Sequence, residues 1–359
     1  MTTMEDGRPP AAPPADPAGL APRNGGQTAP APSARRLPAA DPARRPHSDG
    51  GNSARVGIAP LLVFLGSGGL GVVLSAHIAG GGALLAARWW LVAELTGWAA
   101  AWIAAVAAAL RLPRRTAVPL IFVVAVALRL AALAGPPTTT DDFYRYSWDG
   151  RVQASGIDPY RYAPGSDHLT ALREPWLWPE QQPCPLAYRP EGCTRINRSA
   201  VHTIYPPAAE AWFAAVYRLT GIGARHKPWQ VAGLLTDVAV VALLALALRR
   251  QGKNPRWCAL YAFCPAPVLE IVNNGHVDGL AILLSLAALV VASSPGVAGV
   301  GSNAGLPGRV FWGRIVTVLR DDPSPDRRRS PVGRRELAAG VLIGVAALVK
   351  LYPVLLVVA

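Results

Sequence analysis

Apolar residues in this chain gather in long blocks of about 16 to 24 residues, and that length constrains the fold more than any other feature. An α-helix rises 1.5 Å per residue, so roughly 20 apolar residues cross the ~30 Å hydrocarbon core of a bilayer. A soluble helix of the same length would interrupt its apolar stripe to keep a wet face. Seven blocks qualify, at 56–79, 89–110, 117–134, 229–248, 257–272, 277–292 and 337–358, and together they predict an all-α polytopic membrane protein. An eighth block, 206–219, is only about 14 residues long and carries Glu210 and Arg218, so it is expected to lie at the interface rather than span.

Charge placement sets an expected orientation. The net charge is +13, but the basic residues gather at the ends of apolar blocks instead of alternating with aromatics over one face, which argues against a nucleic-acid partner. With a cytoplasmic amino terminus and a non-spanning 206–219, three basic groups fall inside: Arg111, Arg114 and Arg115; Arg249, Arg250, Lys253 and Arg256; and Arg327, Arg328, Arg329, Arg334 and Arg335. The segment 294–336 is then a cytoplasmic basic loop, and 135–228 is one long extracytoplasmic loop.

Residues 1–55 are rich in Pro, Ala, Gly and Arg and poor in aromatic and branched side chains, so they read as a disordered cytoplasmic tail. The first apolar block is accordingly expected to be an uncleaved signal anchor. Cys184 and Cys193 fall in the long outer loop, where they could close a small disulfide ring or stand as two free thiols. Cys258 and Cys264 lie in an apolar block and read as packing residues.

The polar residues with chemical potential cluster beside the membrane. Directly after the third block comes DDFYRYSWDGRVQASGIDPYRYAP, starting at Asp141. A carboxylate next to a like charge is a candidate general base. Arg145 and Arg151 offer forked donors for phosphate, while Tyr144, Tyr146 and Trp148 could stack on a sugar, or form an interfacial aromatic belt with solvated charges. Asn273, Asn274, Gly275, His276, Val277 and Asp278 make a second polar stretch between two blocks, either a functional cluster or a water-exposed turn. One His and one Asp there fall short of a metal ligand set. Lys350 interrupts the last block, placed either to snorkel or to meet a phosphate.

These segments, with TIYPPAAEAWF from Thr203, NNGHVDGLA from Asn273 and LVKLYP from Leu348, resemble the GT-C glycosyltransferases. Nearest are glycosyltransferase family 87 and the actinobacterial polyprenyl-phosphomannose-dependent mannosyltransferases. The resemblance covers roughly residue 133 to the end. It implies a GT-C-like helix bundle with a large extracytoplasmic first catalytic loop, in a multi-pass plasma-membrane protein. The implied reaction moves a sugar, mannose by this resemblance, from a polyprenyl-phosphate donor to a cell-envelope glycan or glycolipid, with inversion and with no cofactor.

Residue by residue, the resemblance favours Asp142 as base and Asp141 as its partner. Arg145, His276 and Lys350 become phosphate-side candidates. Asp149, Arg151, Tyr160, Tyr205, Asn274 and Asp278 become further substrate-binding candidates, and no metal site is implied. Such enzymes continue through several more spans, whereas this sequence stops at Val357, Val358 and Ala359 within apolar residues, which reads as a truncated product. The competing classes are a transporter or lipid flippase, for which no internal repeat is visible, and a non-catalytic envelope scaffold.

Overall fold

A computed structural model describes residues 57–81, 88–180, 184, 193–221, 223, 225–293 and 333–358. The expected tail, 1–55, and nearly all of the expected basic loop, 294–336, lie outside the described residues. Among the described residues every regular element is helical. The main helices are α1 (Ile58–Gly80), α2 (Arg88–Arg111), α3 (Arg114–Ala131), α4 (Asp142–Ala154), α5 (Pro207–Thr220), α6 (Lys227–Arg250), α7 (Asp278–Ala292) and α8 (Arg334–Val349).

Among the described residues three helices, α1, α2 and α6, are each long and apolar enough to cross a membrane, or four spans if one bent pair is counted with them. Of the seven expected spans, three or four therefore pass as continuous or once-bent spans among the described residues. Block 257–272 is not one helix. It runs as a 3-10 turn (Pro255–Cys258), one α-turn (Ala259–Ala262), a turn at Pro265–Pro267 and a π-helical turn (Val268–Asn273). Pro265 and Pro267 have no N–H for the helical ladder, so a straight helix cannot pass through them. The chain then bends by 118° into α7, which has 15 residues and at ~1.5 Å each is too short to cross alone.

The last block is likewise broken. Helix α8 stops at Val349, and Lys350 is fully extended at φ −148°, ψ 144° ahead of a 3-10 turn at Tyr352–Val354. Helix α3 has 18 residues but carries Arg114, Arg115 and Arg129, so it does not join the apolar spans on composition. Cys258 is buried in the core as expected, and Cys264 is half-buried before Pro265.

Packing follows from where side chains are small. Gly68 and Gly71 bring α1 against Val124 and Leu128 of α3, and the buried Ser75 hydroxyl donates to Leu128 O at 3.0 Å. Gly233 lets the π-turn lie on α6, since a Cβ there would strike Ile271 O. One core collects Phe64, Trp98, Ile121, Leu128, Val241 and Phe263. A second, built from Phe143, Tyr146, Phe213, Trp229, Val277 and Val349, joins α4 and α5 to the starts of α6 and α7 and the end of α8. Thus the stretch expected as a long loop is a folded helical layer on that end of the bundle, and α5, expected at the interface, packs on α4 and α8.

The opposite end is basic. An Arg256 guanidinium N–H donates to Leu112 O, joining the turn that carries Arg111, Arg114 and Arg115 to the one that carries Arg249, Arg250 and Lys253. At the other end, Lys227 Nζ donates to Leu133 O and to Gln230 Oε1 at 3.1 Å, closing the carboxyl end of α3.

Candidate active site

The acidic segment emerges from a fixed polar mount. Asn273 and Asn274 are completely buried, and buried amides require partners. Asn273 Nδ2 donates to Ala132 O (3.0 Å) and Pro136 O (3.2 Å), while its Oδ1 accepts from the Thr138 amide (3.2 Å) and hydroxyl (2.8 Å). Asn274 Oδ1 accepts from the amides of Thr138 and Thr139, each at 3.3 Å, and Nδ2 donates to Glu270 Oε2 at 3.0 Å. Gln230 Nε2 completes the mount, donating to Gly135 O at 3.0 Å and Asn273 O at 2.8 Å. The water-exposed turn considered for this stretch is not what forms, and the Asn274 amide holds the chain's own backbone rather than facing outward.

On this mount the two aspartates stand at the start of α4. Asp141 is the N-cap and Asp142 the first helical residue, where the helix dipole favours a negative charge. Their carboxylates are bridged by a single side chain. Asn197 Nδ2 donates to Asp141 Oδ1 at 2.7 Å and to Asp142 Oδ1 at 2.8 Å. The next residue, Arg198, has φ 49°, a left-handed backbone that costs a non-glycine residue about 1–2 kcal/mol. That strain sits beside the bridging amide.

The far oxygen of Asp142, Oδ2, lies 3.9 Å from His276 Nε2, and His276 Nδ1 lies 3.3 Å from Glu270 Oε2. The Asp142 side chain is 38% exposed and that of His276 19%, with the His276 Nε2 itself buried, so the Asp142 carboxylate is the group that remains reachable. Glu270, one carboxylate in an otherwise apolar stretch, is aimed here by the π-turn. Among the described residues no set of three or more His, Cys, Asp or Glu is placed to hold a metal ion.

Lys350 reaches the same region from the end of α8. Its Nζ lies 3.4 Å from Asp278 Oδ2 and 5.7 Å from the Tyr205 ring centroid, and the Tyr352 hydroxyl donates to Asp278 O at 3.3 Å. Burial, with the negative charge of Asp142 as the next cause, pushes the Tyr205 hydroxyl up well above its ordinary pKa. Tyr205 is therefore a neutral wall of the site, within reach of both charged groups and edge-on to Tyr146 and Phe213.

The remaining nominated residues brace this wall from behind. Arg145 is buried, donates Nε to both oxygens of Asp149 (3.1 and 3.0 Å) and Nη1 to Val201 O (3.1 Å). Asp149 is only 2% exposed, so its carboxylate serves Arg145. Arg151 pairs with Glu174 and donates to Tyr217 Oη at 3.1 Å, and the Tyr160 hydroxyl donates to Tyr205 O at 2.7 Å. Cys184 and Cys193 are disulfide-bonded with Cα atoms 5.6 Å apart, which resolves the choice between ring and free thiols.

Sequence reading missed Asn197, Glu270 and Glu210 as site residues. A lone Glu between Leu269 and Ile271 was a usable signal, because a carboxylate among apolar residues is costly unless it has a partner. Asn197 had none, since it reaches the aspartates only after the chain folds back across 56 residues.

The fold and site define a helical protein that has, among the described residues, three to four helices suited to a membrane and an acidic pair at one end of the bundle. Compared with protein-family models, with curated proteins and with solved structures, the chain matches none.

Proposed function

We propose that this chain is a multi-pass plasma-membrane glycosyltransferase of the GT-C type, moving mannose from a polyprenyl-phosphate donor to a cell-envelope glycan or glycolipid on the extracytoplasmic face. The observation that carries the reading is the Asp141–Asn197–Asp142 bridge at a helix start, with His276 next to Asp142 and Lys350 nearby against Asp278 and Tyr205. Asp142 accepts the proton of an acceptor hydroxyl, whose oxygen attacks the anomeric carbon from the face opposite the phosphate. The carbon–oxygen bond to phosphate breaks as the new bond forms, and its electron pair leaves on the polyprenyl phosphate. Lys350 offsets the charge of that leaving group.

Orientation supports the same reading. The two basic turns meet at one end of the bundle and the aspartates stand at the other, so the charge bias directs the acidic site outward. Membranes holding the full chain should transfer sugar from polyprenyl-phosphate-mannose, and Asp142→Asn should abolish it. A membrane-impermeant thiol reagent should label a cysteine introduced at Ser166 and not one at Gln251. Labelling at Gln251 alone would reverse the orientation and leave the reaction without its donor face.

A transporter is the second reading, and one observation favours it. The 118° break between the π-turn and α7 resembles the discontinuous helices that bind substrates at mid-membrane. Uptake into vesicles with no covalent product would decide for it.

A further inference from the structure

Behind the wall of the acidic site lies a second pair of carboxyl groups, buried and apart from the residues that meet solvent. Asp149 on α4 and Glu210 on α5 are each 2% exposed. Glu210 Oε1 accepts from the Thr203 hydroxyl at 2.7 Å and Oε2 from Gln153 Nε2 at 2.8 Å. Both oxygens of Asp149 accept from Arg145 Nε. These contacts tie three segments together: α4, α5 and the stretch 201–206 that carries Tyr205.

The charge balance of the cluster is the telling feature. Facing Glu210 are Asp149 and Arg145 from α4 and Tyr160 from the turn beyond, while Tyr205 from the 201–206 stretch faces Asp149, and Asp158 faces Tyr160. Both tyrosines are neutral, and among the described residues Arg145 is the single cation in hydrogen-bond contact with the pair. Two ionised carboxylates would leave an uncompensated negative charge in a site from which water is excluded, so one proton is retained between them.

We infer that Asp149 and Glu210 act as one proton-sharing pair that positions the Thr203–Tyr205 wall of the acidic site. In its singly protonated state the pair presents one charge to Arg145 and one neutral carboxyl to Thr203 and Gln153. Loss of the shared proton adds a second buried charge, loosens α5 from α4 and frees Tyr205, which then no longer holds its place against Lys350. The consequence for turnover rests on the transferase reading; the structural device does not.

Burial, then the neighbouring Asp149, pushes the Glu210 carboxyl up to about 8, and burial raises Asp149 as well. The sign follows from linkage. Between the ordinary carboxyl range and about 8 the folded chain binds more protons than the unfolded one, so stability is fully present at acid pH and falls as pH rises through that window.

The test is thermal unfolding of the full chain in detergent micelles as a function of pH, without substrate. The wild-type midpoint should fall by several degrees from pH 5 to pH 8, and E210Q, which mimics the protonated acid, should flatten that slope and melt higher than wild type at pH 8. E210Q combined with D149N should melt below either single variant, because Arg145 then has no counter-charge. A wild-type slope in E210Q, or a double variant as stable as E210Q, would overturn the proposal. Because no sugar donor enters the assay, failure here is distinct from failure of the transferase reading, which the transfer assay decides.

Discussion

Arg129 Nη2 lies 2.6 Å from Asp237 Oδ2, and neither side chain reaches solvent. The pair joins α3 to α6, and its satellites extend the joint: Arg129 Nη1 donates to Ala262 O at 2.8 Å, and the Tyr261 hydroxyl donates to Asp237. One guanidinium and one carboxylate thus fasten the broken segment 255–273 to two long helices. Removing one partner leaves the other charge buried and unpaired, which costs about 3–5 kcal/mol. Asp237→Ala is expected to destabilise the purified chain by that amount in chemical unfolding, while Arg129→Met with Asp237→Leu recovers most of the loss. A single variant as stable as wild type would remove the pair from any role in holding the fold.

Asn197 offers a sharper probe of the acidic pair than either aspartate, because its side chain takes no part in the proposed transfer chemistry. Its amide donates to both carboxylates, and hydrogen bonds to charged groups contribute about 1.5–3 kcal/mol. At ~1.36 kcal/mol per factor of ten, Asn197→Ala should lower kcat/KM for transfer by about tenfold or more. Asn197→Asp, which sets a third carboxylate against the first two, should be worse than Ala. Equal rates in wild type and Asn197→Ala would show that the bridge does not position Asp142 for the proposed reaction.

Gly275 turns the chain between the buried asparagines and His276. Its φ is +69°, and a Cβ there would lie 3.1 Å from Trp229 Cβ. Gly275→Ala should therefore cost about 1–2 kcal/mol from the backbone alone and displace His276 from Asp142. Gly340 in α8 is the matched control, since a Cβ there meets open space. Gly340→Ala should stabilise by about 0.5–1 kcal/mol, read as a higher melting midpoint. Equal effects at the two positions would mean that the turn at Gly275 is not under conformational constraint.

Several parts of this arrangement are legible in the order of the residues. Helices α1, α2 and α6 form where the apolar blocks at 56–79, 89–110 and 229–248 predict them, because their length and composition are local properties. The short helix at 207–220 is recognisable as non-spanning by the same arithmetic. Asp141 and Asp142 stand out as an adjacent pair, and folding brings them together with His276; Lys350 meets Asp278 and Tyr205 nearby. The blocks at 257–272 and 337–358 fail as single spans for a reason also present in the sequence, namely Pro265, Pro267 and Pro353, which break the helical ladder inside runs whose apolar content alone suggests continuity.

Side-chain partnership is where sequence stops. Whether Asn274 faces water or a backbone amide, whether Asp149 meets a ligand or Arg145, and which carboxylate answers Arg129 depend on groups 4 to 135 residues away. By itself, then, the chain's order determined how long each apolar run is, where prolines interrupt it and where charge is concentrated, since those follow from neighbours along the backbone. Tertiary structure alone decided which polar groups are buried and what satisfies each of them, because a buried donor or acceptor must be paired in space and its partner is chosen by packing.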